Sequence, residues 1–281
     1  MNRLVLSKLL ALAVGIACVF FAFKYNKSAL YETSGSIYGT YWKLVSTEYI
    51  PDPLIQSIKQ ELNRIDFVAS NYKSSSELSI INASPINTEI GISSDMYTIL
   101  KFLNNNSITK NDNFQFDLSS IAKGYAVDSI SNLLIRANRN NYLIDIGGEI
   151  IVNGSKHGEP WTIGIQSPLA VNNQAGTQIR SNKFLAIATS GEYRNFKLDE
   201  SGVVTSHTFI PEIQKSLIDK SYSVTVVSEK SSMSADAWAT ALNALGPNKG
   251  IKVANEHNIP VMYIMQENNM MIKSNYWNYN D

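Results

Sequence analysis

The sequence predicts an α+β fold in which mostly antiparallel sheets pack with helices. Short apolar or alternating runs bounded by Gly, Asn and Pro crowd the second half of the chain. Several are joined by turns as brief as Gln266–Asn269, which suits hairpins and not the helical crossovers of a doubly wound parallel sheet. Helical periodicity is confined to three separate stretches. The composition agrees, since 281 residues at 44% hydrophobic can bury a core, which argues against disorder. With 24 basic and 24 acidic side chains there is no net field to hold a nucleic acid by bulk charge.

The elements follow in chain order. Arg3 and Lys8 precede an uncharged apolar run from Leu9 to Phe23, closed by Lys24, which is the grammar of an export signal. The run is long for a signal core and short for a spanning helix, which needs about 17–25 residues. Residues 1–30 are therefore a signal peptide or an amino-terminal membrane anchor. Gly15-Ile16-Ala17 before Cys18 gives a lipidation-like spacing, but the apolar residues continue through Phe21, as they would inside an anchor. Basic residues in front keep the amino terminus cytoplasmic and place residues 31–281, read as a single exported domain, outside. With Cys18 the lone cysteine, neither an intramolecular disulfide nor a cysteine zinc site is available.

Asp52-Pro53 reads as an N-cap followed by Pro at the first helical position, and Leu54, Ile55, Ile58, Leu62, Ile65 and Val68 then recur at helical spacing. A second helix runs from Ser120 to about Arg136. A third begins near Ser234, with an apolar stripe of Trp238, Ala241, Leu242 and Leu245, and ends at Gly246-Pro247. Strands are expected at Tyr142–Ile146, Ile150–Val152, Trp161–Ile165, Phe184–Thr189, Tyr222–Val227, Val261–Met265 and Met270–Lys273.

Four clusters carry chemistry. Asp117-Leu-Ser-Ser-Ile-Ala-Lys-Gly-Tyr-Ala-Val-Asp128 crosses into the second helix, so Ser119, Ser120 and the first amides either hold an anion or simply cap the helix; Lys123 adds a mobile positive charge. Around Gly147 and Gly148 the backbone either approaches a ligand closely or turns a hairpin. Ala188-Thr-Ser190-Gly191 ends a strand in small hydroxyl residues, suited to a phosphate or to a turn. Asp236 and Thr240, four apart on the third helix, share a face. An acid there either offsets the helix dipole or, with the hydroxyl, offers oxygens to a hard cation.

In order, these clusters resemble the ApbE family of flavin transferases, which move FMN from FAD onto a protein. The family's DLxxIAKGYAVD, GGD, ATSG, HxxDP and ADAxAT segments correspond to Asp117–Asp128, Gly147–Glu149, Ala188–Gly191, His207–Pro211 and Ala235–Thr240. Upstream, Gly39-Thr-Tyr41 is similar to the GTxY opening, and Ser70–Ser79 with Asn82 to the SxY…SELSxxN segment. The resemblance implies an ApbE-like fold and Mg²⁺-dependent transfer of FMN from FAD to a Thr or Ser hydroxyl. The acceptor would be an extracytoplasmic flavoprotein subunit of a membrane redox complex, on the periplasmic face of the bacterial inner membrane. Asp236 and Thr240 would ligate Mg²⁺ with an oxygen of Ser120. Tyr72, Asp117, Lys123, Gly147, Gly148, Ser190 and Gly191 would bind the flavin nucleotide, and His207 would take the proton of the acceptor hydroxyl or orient that hydroxyl. His157 and His257 read as surface-loop residues without a role.

This chain also departs from the family's pattern. The stretch between Met96 and Asp117 is shorter than usual, Ile210 replaces the family's Asp, Gln214 a Gly, and Glu149 stands for Asp. Two alternatives to the transferase therefore stand beside it: a flavin-binding descendant without turnover, and a pyrophosphatase giving FMN and AMP.

Overall fold

A computed structural model describes residues 3–27, 29–103, 115–168, 175–191, 196–198, 204–206, 209–210, 215–216 and 222–279. The chain opens with α1 (Arg3–Lys27), whose described apolar side chains, Leu10 and Val19 among them, are exposed. Among the described residues no helix is long and apolar enough to cross a membrane. Then come β1 (Tyr31–Ile37), β2 (Thr40–Ser46), α2 (Asp52–Ala69), α3 (Glu77–Ala83), α4 (Ser94–Phe102) and α5 (Ala122–Arg136). Next are β3 (Tyr142–Ile146), β4 (Glu149–Asn153), β5 (Trp161–Gln166), β6 (Ala175–Ser181) and β7 (Leu185–Gly191). Four short strands, β8 (Phe196–Leu198), β9 (Val204–Ser206), β10 (Phe209–Ile210) and β11 (Lys215–Ser216), precede β12 (Tyr222–Ser228). The chain closes with α6 (Ser232–Glu256), β13 (Val261–Met265) and β14 (Met271–Lys273).

Eight strands form one sheet in the order β1-β2-β3-β4-β7-β12-β13-β14, and every pairing described is antiparallel. The expected α+β class is therefore observed. Both faces of the sheet are buried, as the near-continuous apolar runs require. Tyr142, Ile144, Ile146, Ile151, Ala186, Ala188, Val224 and Val226 face a core shared with α2, α5 and α6. The alternate residues Val152, Leu185, Ile187, Val227, Met262 and Ile264 face a second core under the β5–β6 hairpin. In the central strands the period of two directs alternate side chains to one core or the other, while β1 at the edge stays largely exposed. A third cluster fills the space among α2, α3, α4 and the segment entering α5, around Leu78, Met96, Ile99, Leu118 and Ile121.

Three helical details correct the sequence reading. Pro51, not Asp52, is the cap residue of α2, and it makes no side-chain cap bond; Asp52 lies inside the first turn. α3 and α4 were not anticipated, and each is capped by a serine: Ser76 Oγ accepts from Ser79 N at 3.0 Å and Ser93 Oγ from Met96 N at 3.1 Å. The stripe expected on α6 is rotated. Ala235, Asp236, Ala239, Leu242 and Asn243 are buried, whereas Ala241 and Leu245 face outward. The reason is that small residues decide how closely the helix sits, with Ala186 and Ala188 of β7 beneath it. At Gly246 (φ 70°, ψ 170°) the first helical segment ends, as expected, and a second follows from Pro247 within α6.

α5 and α6 approach each other closely at Gly124. A Cβ on Gly124 would lie 2.5 Å from Ser232 O and 2.7 Å from Met233 Cα, both backbone atoms. Gly124→Ala should thus lower stability by about 1–3 kcal/mol, as overpacking does, measured from urea unfolding midpoints. A gain of about 1 kcal/mol, the usual return for Gly→Ala within a helix, would show that the helices do not approach this closely.

Candidate active site

The site grows from the β3–β4 turn. Ile146 pairs with Glu149 across the two residues Gly147 and Gly148, whose φ values are 62° and 106°. Both torsions are positive, as a tight type I′ hairpin demands, so the glycine pair serves the turn. The turn is clamped against the start of β2. Gly147 N donates to Tyr41 O at 3.1 Å, and a Cβ on Gly147 would lie 2.7 Å from Thr40 Cγ2. Asp145 ties both sides, accepting from Gly148 N at 2.9 Å and from Tyr41 Oη at 2.9 Å. The Gly39-Thr-Tyr41 and Gly147–Glu149 segments, far apart in sequence, thus form one structure.

Strand alternation then turns Glu149 inward, in phase with buried Ile151. Glu149 is 2% exposed, and its Oε2 accepts from Lys123 Nζ at 2.6 Å. Lys123, read from sequence as mobile, is held in this ion pair on the first turn of α5. Asp236 of α6 is 4% exposed and its Oδ2 accepts from Gly124 N at 2.9 Å. Ile121, the cap residue of α5, makes no side-chain cap bond, so a carboxylate from another helix supplies an acceptor to its first turn. The anion that the amino end of α5 was expected to hold is, at Gly124, the protein's own Asp236.

Electrostatics follow from burial. Removal from water pushes Asp236 well above the usual carboxylate range, the nearby Glu149 charge pushes the same way, and Lys123 opposes both. Burial likewise raises Glu149, against the pull of Lys123. For Lys123 burial works to lower the value, but Glu149 and Asp236 together outweigh it and hold the ammonium above its ordinary value. Two buried carboxyls thus share one cation.

The other expected residues are placed as follows. Thr240 lies one turn beyond Asp236 on α6, half-buried, and Ser120 stands in the turn that opens α5, four residues before Gly124. Among the described residues no group of three His, Cys, Asp or Glu side chains is placed to hold a metal ion. Asp117 is exposed, and its Oδ1 accepts from Ser119 N at 2.8 Å and from Asn71 Nδ2 at 2.5 Å, so it fastens the loop after α2 to the entry of α5. Tyr72, next to Asn71, is 80% exposed. Ser190 and Gly191 form the last residues of β7, opposite Val224 and Ser223 of β12, while Thr189 bonds Thr225 side chain to side chain at 3.0 Å. His207 and Gln214 lie outside the described residues, and Ile210 is described only as backbone of β10.

Two residues that the sequence reading gave no role belong to the site. Glu149 was legible as a charge in phase with Ile151. Asp128 was named only as the end of its motif: its Oδ1 accepts from Ser232 N at 2.7 Å and its Oδ2 from Met233 N at 2.9 Å, an attachment to α6 that spacing cannot reveal.

The comparisons with known proteins bear out the resemblance. The ApbE family model matches residues 100–263. The chain belongs to the ApbE family. It is 40% identical over 151 residues, 53% of its length, to the FAD:protein FMN transferase of Vibrio cholerae serotype O1. To the FAD:protein FMN transferase of Haemophilus influenzae it is 35% identical over 154 residues, 54% of its length. In each case the matched stretch spans 44% of the relative. The fold of the flavin transferase ApbE from Vibrio cholerae is shared over 89% of this chain and 98% of that one, with TM-score 0.73 at 24% identity. A crystal structure of the ApbE protein from Thermotoga maritima has TM-score 0.74 at 19% identity, over 88% of this chain and 97% of that one.

The buried carboxyls give a pH signature. Burial pushes Asp128 from 3.8 up to about 6, against the two amides that favour its charged form. In the window between those values the unfolded chain has released this proton and the folded chain has not, so Asp128 contributes less stability as pH rises. The stability margin of the wild type over Asp128→Asn should therefore narrow from about pH 4 to 6 and stay level above pH 7. Urea melts of both proteins across that range check it, and parallel curves throughout would remove the buried charge from the account.

Proposed function

We propose that the protein is an FAD:protein FMN transferase acting on an extracytoplasmic acceptor. The observation that carries this is the buried cluster of Lys123, Glu149 and Asp236, built where the segments typical of the family meet. The names of the relatives, FAD:protein FMN transferases, support the same reading.

In the proposed reaction a Thr or Ser hydroxyl of the acceptor attacks the FMN-side phosphorus of FAD. The new P–O bond forms as the bond to the AMP oxygen breaks. AMP leaves, and the hydroxyl proton passes to His207. Phosphoryl transfer of this kind depends chiefly on placing and neutralising charged oxygens. Asp236 and Thr240, with an oxygen of Ser120, would hold Mg²⁺. One carboxylate and neutral oxygens fit that ion, which takes the rest of its coordination from water and substrate phosphates. When bound it would neutralise charge on the pyrophosphate. Lys123 brings a fixed cation to the phosphates, and Gly147 and Gly148 leave backbone without side chains beside it. Asp117 and Tyr72 would serve the adenosine or ring portions of FAD, with Ser190 and Gly191 along the phosphate path.

Export is part of the proposal, supported by the apolar α1 behind its basic start, with that helix cleaved or kept as an anchor. The acceptor would then be a flavoprotein subunit of a membrane redox complex on the periplasmic side.

The test is incubation of the full chain with FAD, Mg²⁺ and a Thr- or Ser-bearing candidate acceptor, followed by intact mass of both proteins. The acceptor should gain the mass of an FMN group, and AMP should appear in equal amount. Asp236→Asn should stay folded and lose the response to Mg²⁺. His207→Ala should slow transfer by on the order of 10²–10⁴, the range for a lost general base. AMP released without labelling would favour hydrolysis, and FAD bound without either product would leave a binding protein.

A further inference from the structure

Asp128 closes the segment that opens α5, and the reaction proposed above gives it nothing to do. Its carboxylate reaches across to α6, accepting from Ser232 N at 2.7 Å and Met233 N at 2.9 Å. Forming α6 does not require this. Ser231 already caps that helix, its Oγ accepting from Ser234 N at 3.1 Å. What Asp128 fixes is where α6 sits.

The geometry shows how. Gly124 of α5 donates to Asp236 of α6, and Asp128 of α5 accepts from Ser232 and Met233 of α6. Moving one turn forward on α5 moves one turn back on α6, so the starts of the two helices run past each other in opposite directions. Each helix supplies an acceptor to the other's amino end. One such bond leaves a pivot, whereas two bonds a turn apart fix the line of contact and the rotation of α6 about it. The absence of a side chain at Gly124 allows the close approach on which both bonds depend.

We propose that Asp128 is a positioning residue: by holding the amino end of α6 it fixes Asp236 against Gly124 and so sets Asp236 relative to Lys123 and Glu149. The proposal deepens the transferase reading and its kinetic arm rests on it.

The experiment uses the full chain and three variants. Asp128→Ala should remain folded, with faster hydrogen exchange at the Ser232 and Met233 amides. The deciding readout is the Gly124 amide, which is bonded to Asp236 and not to Asp128; it should also exchange faster. In FMN transfer, kcat should fall by on the order of 10²-fold, the cost of a small misplacement of a reacting geometry, with KM for FAD little changed. Asp128→Asn, which keeps one acceptor, should recover part of both losses. Tyr142→Phe removes the buried Ser131–Tyr142 hydrogen bond of 2.7 Å that joins α5 to β3; it should lower stability while leaving kcat and Gly124 exchange at wild-type values. Unchanged Gly124 exchange in Asp128→Ala would overturn the proposal, as would an equal loss of kcat in Tyr142→Phe. If Asp128→Ala does not fold, Asp128→Asn is read in the same way. A wild type that transfers no FMN would overturn the transferase reading, and Gly124 exchange would still decide the role of Asp128.

Discussion

The exchange of carboxylates between the amino ends of α5 and α6 is the constraint on which the rest of the structure depends. A carboxyl as buried as Asp236 is costly unless its oxygens are bonded, and a helix amino end is short of acceptors. Bringing the two helix starts together answers both needs, but only if the backbones approach closely. That requirement explains the small residues on every side of the contact: Gly124 on α5, Ala235 and Ala239 on α6, and Ala186 and Ala188 on the strand beneath. A larger side chain at any of these positions would separate donors from acceptors within the core.

The same burial sets the chemistry. Among the described residues Lys123 is the cation that faces Glu149 and Asp236, and removal from water raises both carboxyls. A core selected for stability alone favours apolar residues at such positions, since replacing a buried ion pair by packed hydrophobes is often neutral or better. Here the charges are concentrated in one place, next to a glycine hairpin whose backbone carries no side chains. Among the described residues the cluster sets two buried carboxyls against one ammonium, and carboxyls raised by burial are groups that readily take up a proton. This supports reading the cluster as a site and not as a structural ion pair.

Much of this was legible in the sequence where the signal is local. The helix over Ile58, Leu62, Ile65 and Val68 was found because its apolar spacing is sustained, and β3, β4, β5, β7, β12, β13 and β14 because each is a short apolar run between turn residues; β1 and β6, with fewer apolar residues in sequence, and β2 were not anticipated. α3 and α4, of 7 and 9 residues, are too short for periodicity to emerge, and only Ser76 and Ser93 mark their starts. The buried face of α6 was misplaced because large residues were given the interior, whereas the contact is set by alanines and by Asp236. The site residues Lys123, Asp236 and the Gly147-Gly148 pair were named from their motifs. Their partners were not, because the bonds from Lys123 to Glu149 and from Gly124 to Asp236 span 26 and 112 positions. No pattern within one element encodes such pairings.

The density of constraint in the segment Lys123–Asp128 follows from where α5 begins. Lys123 bonds to Glu149 on the sheet and Gly124 to Asp236 on α6. Tyr125 Oη donates at 2.6 Å to Asp95 of α4, which Arg64 of α2 also bonds. Ala126 and Val127 enter the main core, and Asp128 returns to α6. Consecutive residues on a helix point about 100° apart, so fewer than two turns face every layer around them. A helix start placed at such a junction cannot shift toward one neighbour without leaving another. The segment therefore transmits the position of the sheet, of α4 and of α6 to one another, and Lys123 and Asp236 keep a fixed relation although they belong to different helices.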